Sequence, residues 1–200
     1  MISLGVQKIL VRAYVLIKLS LLFWAYAFSG LLIFGIGPAL LTIAELYQQH
    51  QWSYEKIKFK AGWQLFKRNF KFGNLYFYLL ATVLTGLGIN LFLSVQTPGL
   101  AFLVTDFVIM FVICLVLSMF HYGLLLNANY EVNLRTTLKL SFIQFFNNFL
   151  DVIKLLAGFI AILIITYKFP GLILFATVPA FIVWTTIVSK KWYQKLAFVI

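Results

Sequence analysis

The chain has 200 residues, of which 63% are hydrophobic and only 10% are charged. Its mean hydropathy is +0.99. The polar residues are too few to cover the surface of a water-soluble domain of this size, so the composition excludes a water-soluble protein. The formal net charge is +11, yet the cations lie between apolar runs and not in a polar domain that would hold a nucleic acid. We therefore expect an all-α, polytopic protein whose partner is the lipid bilayer, with basic loops facing anionic lipid and no nucleic-acid partner.

The first apolar run extends from Leu19 to Ala44 and is hard to divide into spans. As one helix it would measure roughly 39 Å, which is long for one span and short for two. Two alternatives follow. The run contains either one span over 14–36 or a hairpin with spans over 9–29 and 31–49, turning around Gly30 to Gly37.

Basic residues predict the orientation of the spans. In the hairpin interpretation every cation except Lys168 lies on one side of the membrane, which the positive-inside rule makes the cytosol. With a single first span, Lys8 and Arg12 would lie on the opposite side from the later basic loops. The rule therefore favours six spans with both termini in the cytosol over five spans with the N terminus outside, and both stay open. The C terminus is cytosolic in either case.

A basic, aromatic segment follows the first apolar run, and its periodicity predicts an amphipathic helix over 53–71. Aromatic residues recur on one face at helical spacing, beside a stripe of cations. Such a helix suits the headgroup boundary, and it is either an anchor that fixes the topology or a helix that docks on a cytosolic partner. The candidate partner contacts are Trp63, Phe66, Lys67, Arg68, Phe70 and Lys71.

The remaining apolar runs predict two helical hairpins. A Pro-Gly dipeptide divides each of them, at Pro98 with Gly99 and at Pro170 with Gly171, and this dipeptide favours a type II turn. Together with the first run and the amphipathic helix, they form a single membrane domain over 1–200. The four predicted spans lie near 73–95, 100–125, 150–167 and 172–189.

One acid lies well inside an apolar run, and intramembrane ionisable groups are functional candidates. This acid is Asp106, and Asn90 sits about as far before the turn near Pro98 as Asp106 sits after it. Lys168 is the outer cation that could also pair with Asp106. Asn90, Asp106 and Lys168 therefore form a candidate intramembrane polar site, which is either a structural clamp or the entrance to a ligand cavity.

No pattern in the chain predicts an enzyme. There is no nucleophile with a base in reach, no pair of catalytic carboxylates and no phosphate-binding glycine loop. Cys114, the single cysteine, lies in a span and is expected to be a small buried side chain. His50 has no second metal-type residue near it, and His121 is more typical of a helix contact than of a metal ligand. We expect no catalytic residue, no cofactor and no metal site.

Two segments read in order, LSLLFWAYAFSGLLIFGIGPALLTIAELY over 19–47 and WQLFKRNFKFGN over 63–74, resemble the YesL-like family of small bacterial membrane proteins. The shared pattern is an aromatic first helix, a Gly-Pro-Ala step, a short helix ending near a tyrosine, and a basic stretch entering the next span. The resemblance is strongest over 19–80, and Phe34 and Gly35 depart from the more polar lead expected before the Gly-Pro step. The matching residues are Trp24, Gly37, Pro38, Ala39, Tyr47, Trp63, Phe66, Asn69, Phe70 and Lys71.

The resemblance implies a protein of the bacterial cell membrane in a family without an established biochemical activity. It also implies an accessory role in carbohydrate uptake or glycan use, with sugar ABC transporter subunits as partners. We expect the two basic cytosolic segments, 53–71 and the loop over 127–149, to be the contact surfaces for such a partner. The alternative is a small substrate-binding or transport subunit with a cavity among its spans. Gly35, Gly37 and Pro38 are a candidate helix kink, which either lines such a cavity or turns a short hairpin. The oligomeric state stays open.

Overall fold

The structure, a computed structural model, describes residues 4–130 and 132–196, and within these ranges the regular elements are helices. Four candidate spans lie in α1, α3, α4 and α6, and the fifth, Ile173–Trp192, joins a π-helical segment (Ile173–Thr177) to α7. Five such helices confirm the expected all-α fold and fit a multi-pass membrane protein. In chain order the helices are α1 (Leu4–Ser29), α2 (Ile36–His50), α3 (Phe59–Val95), α4 (Leu100–Asn129), α5 (Leu134–Asn147), α6 (Phe149–Lys168) and α7 (Val178–Leu196).

The first apolar run folds as a hairpin whose second arm is short. α1 ends at Ser29, a turn occupies 30–35, and α2 packs back against α1. With 15 residues, α2 is roughly 22 Å long, which is less than the hydrocarbon thickness of about 30 Å. The structure therefore contains the turn of the six-span alternative but only five candidate spans in the described ranges. The single span over 14–36 is not formed, because the helix breaks after Ser29.

The predicted separate helix over 53–71 is instead the beginning of a longer one. Residues 53–58 lie in turns, and α3 starts at Phe59 and continues without a break to Val95. Its 37 residues measure roughly 55 Å, so the basic aromatic segment and the span over 73–95 are one rod. Gly73 lies within this rod and packs against α2.

The two later turns lie where the Pro-Gly dipeptides predicted them, and the structure contains one helix that was not predicted. α3 ends at Val95 and α4 begins at Leu100, with Gly99 at a φ of +151°, a backbone conformation that favours glycine. α6 and the following π-helical segment are likewise separated at Pro170 and Gly171. Between α4 and α6, where a loop was predicted, the chain forms α5.

α2 lies at the centre of the described fold. It contacts α1, α3, α4 and α7, and every residue from Gly37 to Tyr47 except Leu40 is buried. The approach to α3 is very close, because a Cβ placed on Gly37 would lie 2.4 Å from the backbone oxygen of Gly73. This enclosure places the one acid of α2, Glu45, in the protein interior.

Candidate functional site

Glu45 is the buried acid around which a polar site is built. It is only 6% exposed, and its carboxylate accepts hydrogen bonds from the side chains of Gln49, Arg68 and Asn69. Gln49 Nε2 lies 3.1 Å from Oε1, Asn69 Nδ2 lies 3.0 Å from Oε2, and Arg68 Nη2 forms an ion pair with Oε1. A carboxylate removed from water needs such partners, so this network ties α2 to the first turns of α3.

A polar cleft opens beside this network, between α2, α3 and the end of α4. It consists of two neighbouring cavities of about 360 and 320 Å³. Arg68 and Asn127 line both cavities and therefore stand between them. We call the two cavities together the Glu45 cleft. Its other polar lining comes from Glu45, Gln48, Gln49, Asn69, Asn129 and Asn133.

Hydrogen bonds fix the orientation of several amide side chains that line the Glu45 cleft. Asn127 Nδ2 and Asn129 Nδ2 donate to backbone oxygens one turn earlier in α4, at 3.2 and 2.8 Å. Because a backbone carbonyl can only accept, the amide nitrogen must face it and the amide oxygen turns the other way. The Glu45 carboxylate orients Asn69 and Gln49 by the same rule. The amide oxygens of these side chains are therefore the candidate acceptors for a ligand in the cleft.

This arrangement suits an uncharged ligand that carries several hydrogen-bond donors. The charges of Glu45 and Arg68 offset each other, so the pair attracts neither an anion nor a cation strongly. Hydroxyl groups can donate to amide oxygens and accept from the guanidinium of Arg68. The cleft therefore contains the donor and acceptor groups that a ligand with hydroxyl groups would need.

Replacing Arg68 with methionine is expected to lower the free energy of unfolding by about 2 kcal/mol. Removing one partner of a buried ion pair costs roughly 3–5 kcal/mol, and we expect less here because the Arg68 side chain is 49% exposed. Thermal unfolding in detergent measures the effect, with the exposed neighbour Lys67→Met as the matched control.

The same experiment contains an internal check on the ion pair. Adding Glu45→Gln to Arg68→Met removes the uncompensated buried charge and is expected to restore most of the lost stability. A double variant less stable than Arg68→Met alone would contradict the pairing.

The predicted intramembrane site is not assembled. Asn90 and Lys168 are exposed and Asp106 is half-buried. One carboxylate oxygen of Asp106 is buried without a hydrogen-bond partner among the described residues, so neither Asn90 nor Lys168 reaches it. Equal distance from the turn gave Asn90 and Asp106 a common height, but height does not fix the direction of a side chain around its helix axis.

The candidate partner surface on α3 is divided by the fold. Phe66 is buried, with its ring 5.7 Å from Tyr26, and Trp63 is half-buried beside it. Arg68 belongs to the Glu45 cleft. Arg68 is also exposed, so the exposed members that lie outside the cleft are Lys67, Phe70 and Lys71.

Gly35, Gly37 and Pro38 make a hairpin rather than a kink within one helix. Gly35 is the last residue of the turn, and Pro38 is the third residue of α2, where its missing N–H removes no helical hydrogen bond. Gly37 packs against the backbone of Gly73. These residues set α2 against α3 and thereby bring Glu45 to Arg68.

Sequence reasoning missed the Glu45 cleft because its residues come from distant segments. Glu45 interrupts an apolar stretch, since it follows Ala44 and precedes Leu46, and this was a usable signal of an acid on a buried helix. The second signal was the close spacing of Asn127, Asn129 and Asn133 at the end of an apolar run.

The match to a known protein family lies in the first half of the chain. Residues 16–91 match a family model described as "Protein of unknown function, DUF624". The matched range contains α2, Glu45, Arg68 and Asn69, whereas Asn127 lies outside it. The match is compatible with the resemblance to the YesL-like family and carries no biochemical activity with it. No curated protein and no solved structure matches the chain.

Proposed function

We propose that this protein binds a small, uncharged, hydroxyl-rich solute in the Glu45 cleft, as a substrate-binding or transport subunit in carbohydrate uptake across the bacterial cell membrane. The observation that carries the proposal is the set of amide side chains that line the cleft with Arg68 and are oriented by hydrogen bonds through their nitrogens. Cavities of about 360 and 320 Å³ lie in the usual range for small-molecule sites, roughly 300–1,000 Å³. The role is one of binding, without a catalytic residue or a cofactor.

The side of the membrane that the cleft faces follows from the charges around it. Lys67, Lys71 and Arg135 are exposed on the elements that line or flank the cleft. Under the positive-inside rule this end of the bundle faces the cytosol, and so does the C terminus. We therefore propose that the cleft receives or releases its solute on the cytosolic side.

A neutral sugar is expected to raise the melting temperature of the purified protein. Stabilisation grows with ligand concentration and reaches about 2.7 kcal/mol at one hundred times the dissociation constant. The measurement is thermal unfolding in detergent with neutral mono- and disaccharides, and with glucuronate and glucosamine as charged relatives. Asn127→Ala, which removes an acceptor shared by both cavities, is expected to abolish the shift.

The matched control is Asn90→Ala, because Asn90 is an exposed asparagine on α3 outside the cleft. It is expected to retain the full shift. Equal shifts for neutral and charged sugars, or a shift that survives Asn127→Ala, would contradict binding in the Glu45 cleft. A wild-type protein that no sugar stabilises would contradict the carbohydrate class.

A second candidate function is docking on a sugar ABC transporter as an accessory protein. The observation in its favour is that Lys67, Phe70 and Lys71 remain exposed together on α3, so an aromatic ring beside two cations is available to a partner. In-cell cross-linking of the Phe70→Ala/Lys71→Ala variant, followed by mass spectrometry, tests it. Loss of transporter subunits found with the wild type would support docking, and their retention would contradict it.

A further inference from the structure

The outer side of α1 carries a continuous apolar stripe that ends in a groove. Leu10, Tyr14, Ile17, Leu21 and Phe28 recur at spacings that place them on one face of the helix. Each is exposed, between 40% and 60% of its surface. At the N-terminal end of this stripe lies a cavity of about 320 Å³, lined by Leu10, Val11, Tyr14 and Tyr54. We call this cavity the α1 groove.

A lysine beside the α1 groove has hydrogen-bond donors that its contacts within the protein do not use. Lys18 Nζ lies 6.0 Å from the centre of the Tyr14 ring and donates to the backbone oxygen of Tyr54 at 2.8 Å. An ammonium group has three donors, so two remain for a ligand. The Tyr14 and Tyr54 rings pack edge to face, with centres 5.5 Å apart, and hold the wall of the groove in place.

The charge around the α1 groove is positive. Arg12 is exposed and stacks over the Trp52 ring at 5.3 Å. The segment 51–60 adds three exposed lysines and one acid, Glu55. The local excess of cations is therefore suited to an anion, and the aromatic rings are of the type that occupy the membrane interface.

We propose that the α1 groove binds an anionic phospholipid, with the lipid phosphate at Lys18 and an acyl chain along the apolar stripe of α1. The apolar stripe favours a lipid over a soluble phosphate ester as the ligand. A soluble ester would leave Ile17, Leu21 and Phe28 uncovered, whereas an acyl chain covers them in continuity with the groove. This site lies apart from the Glu45 cleft and does not depend on the function proposed for it.

Native mass spectrometry of the purified full-length protein tests the site. The probes are dioleoylphosphatidylglycerol, dioleoylphosphatidylcholine and glycerol 1-phosphate. We expect the first bound phosphatidylglycerol to dissociate about fivefold less readily than phosphatidylcholine. Both lipids carry a phosphate, but the choline cation of phosphatidylcholine offsets the attraction of Lys18, which is worth about that factor for one lysine near an anionic lipid. Lys18→Gln is expected to remove the preference, and Lys139→Gln, an exposed lysine on α5, is expected to keep it.

Tyr14→Ala is a second variant that removes a wall of the groove and leaves Lys18 in place. If Lys18→Gln lowers the melting temperature in the absence of lipid, its loss of lipid preference could reflect unfolding, and the result with Tyr14→Ala then tests the site. Loss of the preference in either variant, with Lys139→Gln unchanged, supports the proposal. Equal affinity for the two lipids, or a preference that survives both substitutions, would overturn it. Equal affinity for glycerol 1-phosphate would overturn the choice of a lipid.

Discussion

A Gly73→Ala variant is expected to lose the packing of α2 on α3 and, with it, most of the folded protein. The added Cβ would lie 2.6 Å from Cα of Pro38. The obstacle is backbone, so no side chain can rotate away, and we expect a cost of roughly 3 kcal/mol or more, the upper end for overpacked cores. Thermal unfolding and size-exclusion chromatography in detergent measure the loss.

α3 supplies its own controls for this substitution. Gly86 and Gly88 lie in the same helix, and a Cβ at either would meet nothing within 4 Å. Gly86→Ala and Gly88→Ala are expected to be neutral or slightly stabilising, because alanine is the better helix former by about 1 kcal/mol. A Gly73→Ala protein as stable as Gly86→Ala would show that α2 and α3 are not in contact as described.

Phe66→Ala is expected to destabilise the protein by about 3–5 kcal/mol, the usual cost of emptying a buried phenylalanine site. Phe66 is 4% exposed, and its ring lies 5.7 Å from that of Tyr26 and 5.4 Å from that of Trp63. The contact with Tyr26 joins α1 to α3. The melting temperature in detergent measures the effect.

Phe70→Ala is the matched control for Phe66→Ala, because it removes the same side chain one turn later in α3. Phe70 is 38% exposed, and we expect its loss to cost less than about 1 kcal/mol. Equal destabilisation by the two substitutions would contradict the burial of Phe66. It would also mean that the Phe66 side chain is accessible to a partner.

The helical architecture could be predicted because it depends on local properties of the sequence. Apolar runs long enough to cross a bilayer, divided by Pro98-Gly99 and Pro170-Gly171, fix the later helices without knowledge of tertiary contacts. The length of α2 could not be predicted in this way. Its end at His50 and the start of α3 at Phe59 depend on how the hairpin packs, which hydropathy does not record.

The Glu45 cleft could not be predicted from the sequence for a related reason. Asp106 was chosen because it interrupts the middle of an apolar run, whereas Glu45 stands near the end of one. Burial of Glu45 results from contacts of α2 with four other helices, and sequence alone does not reveal such contacts. The amide groups of α4 line the same cavity as Glu45 only because α4 and α2 are neighbours in space.

The candidate partner surface on α3 was predicted from helical periodicity, which identifies the residues of one face but not what covers that face. Trp63, Phe66 and Phe70 share a helical face, as predicted. Periodicity identifies such a face but does not say whether lipid, a partner or the same chain covers it. Here the same chain covers Phe66 through Tyr26 of α1, and Phe70 stays exposed.

Ligand protection of a cysteine in the Glu45 cleft tests the central claim most directly. Val132→Cys is introduced in a Cys114→Ala background, because Val132 lines the larger cavity and supplies none of the proposed hydrogen bonds. The reaction of this cysteine with a small, water-soluble methanethiosulfonate is timed with and without saturating neutral sugars. Lys67→Cys, exposed on α3, is the control. We expect at least one neutral sugar to slow modification at position 132 by about tenfold or more and to leave position 67 unchanged. Modification at position 132 that no sugar slows would contradict a solute site in this cleft.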